Sequence, residues 1–490
     1  MATLGIELGS TRIKSVVINE GFHVVASGSH TWENQLKDGY WIYALDDVWA
    51  GLRDSVSQLS GLAEVSAAGL SAMMHGYLAF DRDGKLLVPF RTWRNTTTER
   101  AAAELTELFG VNIPQRWSIA HLYQAILNGE PHIKDIDFVT TLAGYVHWQL
   151  TGRKVIGIGD ASGMFPIQNG RYNSTYAEQF RQKTGLDIYS IFPEILLAGQ
   201  EAGHLTDKGA ELMGGMLKAG TPLCPPEGDA GTGMVATNSV AKRTGNISAG
   251  TSIFGMTVLE RPLSGIYPEI DIVTTPEGED VAMVHCNNCT GDIDAWVKVF
   301  SEISPLPRHE LYDLFYQSAL EGDADCGGVY TCNYFSGEPI TGVENGRPLV
   351  MRAPDARLTF ANFARSLLFS SVATLRLGYE ILKGEHVVTE RLCGHGGLFK
   401  TDKAGASVVA SALGSEVTVM QSAGEGGAFG IAVLASYLGA EQPLAEYLNR
   451  NVFGGNITKY TEHPDADVAA GFDQYLESYM DLIEIEKQWG

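Results

Sequence analysis

The sequence predicts an α/β protein with two domains of similar size. Its 490 residues exceed what one hydrophobic core usually serves, so two domains of roughly 200 to 250 residues each are expected. Strand-like and helix-like patterns alternate along the chain, which is typical of layered α/β domains. The strand–turn–strand pattern "GIELGSTRIKSVVI" near the start also has a counterpart, "NISAGTSIFGMTVL", near the middle. This repetition indicates two domains built on one plan.

The first half opens with strands and continues with alternating elements. The strand-like segments are, in order, "TLGIELG", "RIKSVVIN", "GFHVVASGSH", "EVSAAGLSAM" and "YLAFD". Helical spacing is seen first in "LDDVWAGLRDSVSQLSG", where acidic residues in the first turn support a helix start. Helical stretches then follow from "TTTERAAAELTELFG" to "AGYVHWQLTG".

A second α/β pattern begins after a stretch rich in Gly and Pro, "GTPLCPPEGDAGTGMVAT". We therefore predict a first domain at residues 1–243 and a second at 244–490. In the second half, strands are predicted in "RTGNISAGTSIFGMTVLE", "RLCGHGGLF" and "EVTVMQ", and helices in "ANFARSLLFSSVATLRLGYEIL", "KAGASVVASALG", "GEGGAFGIAVLASYLG" and the stretch from Asp465 to Trp489.

Composition restricts the class of partner. A net charge of -23 argues against nucleic acid or an anionic membrane as the main partner. No apolar run is long enough to span a bilayer, and the N-terminus lacks the pattern of a signal peptide. The six cysteines are scattered except for "HCNNC", which favours a reducing cytoplasm. For Cys286 and Cys289 we favour structural thiols, with a metal or redox role as the alternative.

The two related turns are candidates for phosphate binding. Backbone amides of Gly9, Ser10 and Thr11 can form an anion-binding nest, and the two hydroxyls add donors. The alternative is an ordinary hairpin whose polar side chains satisfy the turn. Because "SAGTS" (248–252) repeats the feature in the second half, we favour phosphate binding by both turns.

Asp229 in "PPEGDAGTGM" is the candidate catalytic carboxylate. Its neighbours are small, so a ligand and the backbone can approach it closely. A helix that starts here directs its N-terminus toward whatever Asp229 binds. The alternative is that Asp229 is simply the N-cap of that helix.

Three further segments suggest ligand contacts. His75, beside Gly76, can donate to or accept from a hydroxylated ligand, with a hydrogen-bonded structural histidine as the alternative. The glycine pairs 396/397 and 426/427 follow strand-like stretches and precede helices. Such pairs allow a purine and ribose to lie against bare backbone, and tight turns are the alternative.

Seven segments in this order resemble the motifs of the FGGY carbohydrate kinases. The family carries a phosphate hairpin, a sugar-contact stretch, a W-N/R-D-x-R segment, a catalytic G-G-D-x-A motif, a G-T-S phosphate turn, an S-G-E-R segment and a G-G adenosine motif. Here those places are occupied by "IELGST", "MMHG", "TWRNTTTER", "EGDAGTG", "SAGTS", "YFSGEP" and "GHGG". The similarity extends from about Leu4 to Leu438. Stretches such as "GHGGLFKTD" are somewhat more like the ribulokinase branch than the xylulokinase branch.

The resemblance implies two ribonuclease H-like domains of the actin-type ATPase fold, flanking a catalytic cleft that closes on substrate. It also implies ATP and Mg²⁺ as cofactors. Residue by residue, it implies the following roles: Asp229 as general base; Met74, His75, Gly76, Trp93, Asn95 and Asp229 at the sugar; Gly9, Ser10, Thr11, Lys14, Gly250, Thr251, Ser252, Gly396 and Gly397 at ATP; and Glu7 with Asp229 near Mg²⁺, through water.

Three positions depart from the family pattern. Glu7 replaces the Asp of the first hairpin, Asn95 stands where many relatives have an acidic residue, and "SGEP" lacks the usual Arg. A neutral Asn in a sugar pocket makes one fewer charge-assisted hydrogen bond. The resemblance therefore does not transfer the sugar of the xylulokinases directly.

The sequence thus predicts a cytoplasmic, ATP-dependent kinase for a ketose, such as the ketopentoses xylulose and ribulose, or for a related polyol. A kinase for gluconate, glycerol or a deoxyketose is an alternative substrate assignment. An inactive sugar- or nucleotide-binding regulator on the same fold is an alternative from another class, and a hydrolase that uses water as nucleophile is a third. A homodimer is the default expectation for the assembly.

Overall fold

The computed structural model of the protein describes residues 2–420, 426–455 and 458–489, and it confirms an α/β architecture. Residues 424 and 425 of the predicted "GEGGAFG" segment lie outside the described residues. The strands are, in chain order, β1 Ala2–Leu8, β2 Arg12–Ile18, β3 Val24–Thr31, β4 Gln35–Lys37, β5 Tyr40–Tyr43, β6 Val65–Ala72, β7 Leu78–Phe80, β8 Phe90–Arg91, β9 Phe138–Thr140, β10 Val155–Gly157, β11 Ile167–Gln168, β12 Arg171–Tyr172, β13 Glu194–Leu196, β14 Glu227–Gly228, β15 Thr244–Ala249, β16 Ile253–Val258, β17 Ile270–Thr274, β18 Asp280–Cys286, β19 Val329–Cys332, β20 Leu349–Arg352, β21 Arg391–Gly396, β22 Glu416–Met420 and β23 Thr458–Glu462.

The helices alternate with these strands, as the sequence predicts. They are α1 Leu45–Ser57, α2 Glu99–Phe109, α3 Ser118–Leu127, α4 Leu142–Thr151, α5 Ile158–Ala161, α6 Ser174–Thr184, α7 Ile188–Ile191, α8 Asp207–Leu212, α9 Asp229–Ala236, α10 Gly291–Ser301, α11 Arg308–Leu320, α12 Phe360–Gly384, α13 Ala404–Leu413, α14 Gly426–Ser436, α15 Leu444–Tyr447 and α16 Ala466–Trp489.

The chain forms two compact units. The first comprises the described residues within 1–240, 271–281 and 425–455, and the second those within 241–270, 282–424 and 456–490. The longest segment of the first unit therefore ends near the predicted boundary at 243/244. The chain also returns to the first unit twice after that boundary.

The central sheet of the first unit has the strand order β14-β6-β1-β2-β3. Strand β1 is central: it pairs antiparallel with β2 and parallel with β6. Its residues are nearly all buried, as expected for a strand covered on both faces. The register places Glu7 opposite Lys14, next to the turn that joins β1 to β2.

The second unit repeats this plan in the order β18-β16-β15-β21-β22-β23. Here β15 takes the place of β1, since it pairs antiparallel with the next strand β16 and parallel with β21. The predicted strand–turn–strand repeat is therefore a hairpin in each unit, and the structure adds that each hairpin lies at the centre of its sheet.

Helix α14 packs directly on the sheet of the first unit, and a glycine permits the close approach. A Cβ added to Gly5 in β1 would overlap the backbone oxygen of Ala428 and would lie 2.7 Å from the backbone nitrogen of Ala432. The glycine therefore lets the backbones of β1 and α14 touch. This contact brings the first turn of α14 close to Glu7 at the end of β1.

Among the described residues, none of the helices combines the length and the apolar composition that a bilayer crossing requires.

Cys286 and Cys289 are both free and buried, and burial raises the pKa of Cys289 and of Cys286 above the usual thiol range. Their environment fits the structural-thiol interpretation.

Candidate active site

Asp229 is the first residue of α9, directly after β14. Gly228 caps this helix, so the alternative that Asp229 is the N-cap is wrong. The Asp229 carboxylate instead accepts a hydrogen bond from the backbone N–H of Met74 at 3.1 Å. This bond holds the carboxylate in place, and Asp229 as a whole residue is only partly buried.

Glu7 reaches the first turn of α14. Its Oε2 accepts a hydrogen bond from the backbone N–H of Ala428 at 3.2 Å. A Cβ at Gly427 would lie 2.6 Å from the Oε1 of Glu7, so a glycine is required beside the carboxylate. An anion is favourable at a helix N-terminus because the unpaired amides carry partial positive charge. Glu7 is longer than the Asp of the family pattern, and this length lets its carboxylate reach the amide of Ala428.

Glu7 and Asp229 influence each other electrostatically. Burial, with the charge of Asp229 as the second cause, raises the pKa of Glu7 to about 7. Burial also raises the pKa of Asp229 to about 6, against the effect of the Met74 hydrogen bond. Two neighbouring carboxylates with raised pKa values favour a proton or a cation near them.

A second pair of carboxylates, Asp160 and Glu227, is fully buried, and Asp160 is close enough to Asp229 to be influenced by its charge. Glu227 accepts hydrogen bonds from the backbone N–H groups of Gly159 at 3.3 Å and Asp160 at 2.9 Å. Asp160 accepts a hydrogen bond from the hydroxyl of Thr141 at 2.6 Å, and its Oδ1 has no partner among the described residues. Burial raises the pKa of both carboxyls to about 8.

This pair predicts that stability falls as the pH rises. Because burial raises the pKa of Asp160 to about 8, the folded protein binds a proton there more strongly than an unfolded chain, in which this carboxyl has the ordinary value of 3.8. Stability is therefore highest below the unfolded pKa and is lost as pH rises through the folded pKa, by at most about 1.4 kcal/mol per pH unit for one group. We expect Asp160→Asn to reduce the fall in melting temperature between pH 6 and pH 9.

The control for this measurement is Asp83→Asn, because Asp83 is exposed on a turn. That variant should follow the wild-type pH dependence. If Asp160→Asn loses as much stability as the wild type between the two pH values, the buried carboxyl is not protonated in the folded protein.

The predicted phosphate residues form the tight turns of the two hairpins. Gly9, Ser10 and Thr11 connect β1 to β2 in the first unit, while 250–252 connect β15 to β16 in the second. The N–H of Gly9 donates to the carbonyl of Arg12. Within the described parts of the chain, the N–H groups of Ser10 and Thr11 donate to no protein acceptor. Lys14 lies one β-ladder position from this turn, opposite Glu7.

His75 is held by protein groups on both ring nitrogens. Its Nδ1 donates to the carbonyl of Gly163 at 3.2 Å, and its Nε2 accepts from the Nε of Arg116 at 3.3 Å. Arg116 in turn forms an ion pair with Asp271. With 5% of its surface exposed, His75 matches the structural alternative. Its contact with a sugar stays a prediction, as does that of the following residue, Gly76.

Trp93 contacts the first phosphate turn, whereas Asn95 forms hydrogen bonds elsewhere in the protein. The indole N–H of Trp93 donates to the hydroxyl of Ser10 at 3.2 Å, which ties this residue to the first phosphate turn. The Asn95 amide is used inside the protein: its nitrogen donates to the carbonyls of Trp41 and Thr92, and its oxygen accepts from the N–H of Trp41. Asn95 therefore fastens the loop that carries Trp93, and a direct role at the sugar stays a prediction.

The glycines predicted to meet adenosine lie at the end of β21 in the second unit. Gly396 has a φ of 99°, and a Cβ there would overlap the carbonyl oxygen of Ala249. The nearest atom to a Cβ at Gly397 is 3.8 Å away. Close packing against β15 thus explains Gly396, while the surroundings of Gly397 are open.

Comparison with known proteins decides the family. The sequence model of the N-terminal domain of the FGGY family of carbohydrate kinases matches residues 2–236, and that of the C-terminal domain matches residues 245–439. The chain belongs to the FGGY family of carbohydrate kinases. It is accordingly an ATP-dependent sugar kinase, as the motifs predict. The chain is 21% identical over 459 residues to a xylulose kinase of Haemophilus influenzae, covering 90% of each protein.

Solved structures confirm the fold of this FGGY kinase. A xylulose kinase from Rhodospirillum rubrum superimposes with a TM-score of 0.83 at 15% identity, covering 100% of this chain and 99% of that protein. A gluconate kinase from Lactobacillus acidophilus superimposes with a TM-score of 0.82, also at 15% identity, covering 99% and 98%. The predicted pair of ribonuclease H-like, actin-type domains is therefore confirmed.

Sequence reasoning did not identify the buried pair of Asp160 and Glu227. One signal was available, because Glu227 stands where the family motif has the first Gly of G-G-D. The partner of Glu7 was also missed, since nothing in the sequence relates Glu7 to Ala428. Among the described residues, no group of three or more His, Cys, Asp or Glu side chains is arranged to hold a metal ion.

Proposed function

We propose that this kinase transfers the γ-phosphate of ATP to a hydroxyl of a free ketose, with ketopentoses such as xylulose or ribulose as the first candidates. We further propose Asp229 as the general base. The observation that carries this proposal is the placement of Asp229: the residue is only partly buried, its carboxylate is fixed by the Met74 amide, and a second carboxylate, Glu7, lies near it.

The chemistry requires little from the protein beyond positioning and one base. A sugar hydroxyl is a poor nucleophile until its proton is taken as the new P–O bond forms. Asp229 accepts that proton, and its pKa, raised by burial to about 6, leaves it mostly ionised at neutral pH. The Met74 amide donates to Oδ1 and so fixes the orientation of the carboxylate.

The residues present fit ATP and Mg²⁺. The amides of Ser10 and Thr11 have no protein acceptor among the described residues and suit phosphate oxygens. The adjacent carboxylates Glu7 and Asp229 have raised pKa values that a cation would lower. We propose that these two side chains hold Mg²⁺, through water, and that the turn 250–252 also binds phosphate. When bound, Mg²⁺ neutralises the charge of the phosphates.

A substrate panel tests the proposal. ADP release is measured with D-xylulose, L-xylulose, D-ribulose, L-ribulose, deoxyketoses, glycerol and gluconate, each at saturating ATP and Mg²⁺. Turnover with a ketopentose and a KM below about 1 mM, the usual range for enzyme substrates, is the expected result. Gluconate is included because of the similarity in fold to the gluconate kinase of Lactobacillus acidophilus.

Each other outcome of the panel contradicts the proposal in a specific way. Turnover only with gluconate or glycerol would show that this compound, and not a ketose, is the substrate. ADP release that does not depend on any sugar would favour the hydrolase. Tight sugar binding without ADP release would favour the regulator. The phosphorylated hydroxyl can be identified by ³¹P–¹H NMR of the product.

Glu7→Gln tests the carboxylate at the metal. We expect this change to lower kcat by about 10- to 100-fold and to raise the Mg²⁺ concentration required for half-maximal activity. The KM for the sugar should stay within about twofold, because the hydrogen bond of Glu7 is to the backbone amide of Ala428 and Glu7 is not among the residues proposed at the sugar. A steady-state titration with Mg²⁺ at fixed ATP measures the change.

Glu7→Asp is the matched variant, since it keeps the charge and shortens the side chain by one C–C bond, roughly 1.5 Å. It should keep a Mg²⁺ response but lose the hydrogen bond to Ala428, so its melting temperature should fall more than that of Glu7→Gln. An unchanged Mg²⁺ dependence in Glu7→Gln would remove Glu7 from the metal site.

A further inference from the structure

The carbonyls of the first phosphate turn are bound by aromatic side chains. The carbonyl of Gly9 accepts the indole N–H of Trp32 at 2.7 Å, and the carbonyl of Ser10 accepts the hydroxyl of Tyr43. The two rings stack with centroids 4.2 Å apart and expose only 6% and 3% of their surfaces. Both donors are therefore fixed by packing.

These two bonds set the direction of the turn amides. In a trans peptide the C=O of one residue and the N–H of the next point in opposite directions. With the Gly9 carbonyl directed at Trp32, the N–H of Ser10 is directed away from it. With the Ser10 carbonyl directed at Tyr43, the N–H of Thr11 is directed away as well. These are the two amides that have no protein acceptor among the described residues.

A third aromatic donor orients the hydroxyl of the turn. The indole N–H of Trp93 donates to the Oγ of Ser10 at 3.2 Å. Because that oxygen now accepts a hydrogen bond from the indole, its own hydrogen remains to donate elsewhere. The three aromatic residues thus leave the amides of Ser10 and Thr11 and the hydroxyl of Ser10 as donors for which the described part of the chain supplies no acceptor.

The second turn, in the other unit, shows the same pattern with different donors. The carbonyl of Gly250 accepts both the N–H and the hydroxyl of Thr290, at 3.1 and 2.8 Å, and the carbonyl of Thr251 accepts the N–H of Cys289 at 2.9 Å. The carbonyls engaged are those of the first two turn residues, as in the first hairpin. By the same peptide geometry, the N–H groups of Thr251 and Ser252 are directed away from these donors.

We propose that Trp32, Tyr43 and Trp93 are positioning residues that orient the first turn for the phosphates of ATP, and that Thr290 does the same for the second. The inference rests on the proposed phosphate role of the turns. These residues do not touch the nucleotide; they act through the peptide units that they hold.

Tyr43→Phe tests the first turn, because it removes one hydroxyl and keeps the ring that stacks on Trp32. Isothermal titration calorimetry with AMP-PNP and Mg²⁺ should show about fivefold weaker binding, the usual effect of one lost hydrogen bond. Adenosine, which has no phosphate, should bind within twofold of wild type. A loss of general structure would weaken both ligands alike.

Tyr189→Phe is the matched control. Its hydroxyl also donates to a backbone carbonyl, that of Tyr172 at 2.9 Å, on other elements of the same unit. This control should leave AMP-PNP binding unchanged. For the second turn, Thr290→Val is compared with Thr244→Val, which removes a hydroxyl that donates to the carbonyl of Ala241 at 2.7 Å. Only Thr290→Val should weaken AMP-PNP.

A double-mutant cycle tests Trp93. If its indole acts through Ser10, then Trp93→Phe weakens AMP-PNP in the wild-type protein but has no further effect in the Ser10→Ala background. Equal effects in both backgrounds would show that Trp93 acts by another route and would overturn its positioning role.

These experiments distinguish a failure of the inference from a failure of the proposed function. If wild-type protein binds AMP-PNP while Tyr43→Phe and Thr290→Val bind it equally well, the inference is overturned and the proposed function stands. If both variants lose adenosine binding to the same extent as AMP-PNP, the residues support the fold only, which also overturns the inference. Wild-type protein that binds no AMP-PNP would overturn both.

Discussion

Asp229→Asn is expected to remove nearly all phosphoryl transfer while the protein still binds ATP. The amide cannot take the proton of the substrate hydroxyl, and loss of a general base lowers rates by about 100- to 10,000-fold. The fold should be preserved, because the Asn oxygen can still accept the hydrogen bond from the Met74 amide. Single-turnover assays with the preferred sugar of the panel, together with calorimetry using AMP-PNP, separate chemistry from binding.

Asp160→Asn is the matched control for this loss of activity. It replaces a buried carboxyl of the same unit whose known contact is the Thr141 hydroxyl and which we expect to be neutral already. Its kcat should remain within about threefold of wild type, because no step of the proposed mechanism uses it. Wild-type activity in Asp229→Asn would show that the base has been assigned wrongly.

Gly5→Ala is expected to lower the free energy of unfolding more than any other substitution proposed for this protein. The new methyl group would overlap the backbone oxygen of Ala428 and crowd the backbone nitrogen of Ala432. Backbone atoms cannot move aside as a flexible side chain can, so helix α14 must shift. We expect about 3 kcal/mol of destabilisation, at the upper end for overpacking. Because the shift displaces the amide that binds Glu7, kcat should also fall by about 100-fold.

Gly455→Ala provides the comparison, since a Cβ at Gly455 meets no atom within 4 Å. Its melting temperature and kcat should equal those of the wild type. If Gly5→Ala melts at the wild-type temperature, then β1 and α14 are not in the close contact that the structure shows.

Much of the architecture was readable from local sequence patterns. The repeat of "GIELGSTRIKSVVI" and "NISAGTSIFGMTVL" predicted a hairpin in each half, because a hairpin is formed by residues close in sequence, whereas its place at the centre of each sheet became visible only in the structure. Helix α12 was also recognisable from its spacing alone. Such features need no knowledge of distant neighbours.

The contacts of the candidate site were not readable in this way. Glu7 meets Ala428, more than four hundred positions later, and Arg116 pairs with Asp271. Nothing in the local sequence of either partner indicates the other, since the fold alone brings them together. For the same reason, the sequence could assign His75 to a sugar but could not show that both of its ring nitrogens are already bound by the protein.

The first unit is built from segments that are far apart in the sequence, and this determines which fragments of the protein can fold. This unit includes the described residues within 425–455 as well as those before 240. A fragment ending at residue 243 therefore lacks α14. Water would then reach the face of the sheet that α14 covers, at Gly5 in β1 and at Gly69, which packs on Ile431. The N-terminal half produced alone should be insoluble, whereas co-expression with the C-terminal half as a separate polypeptide should restore a soluble kinase by fragment complementation.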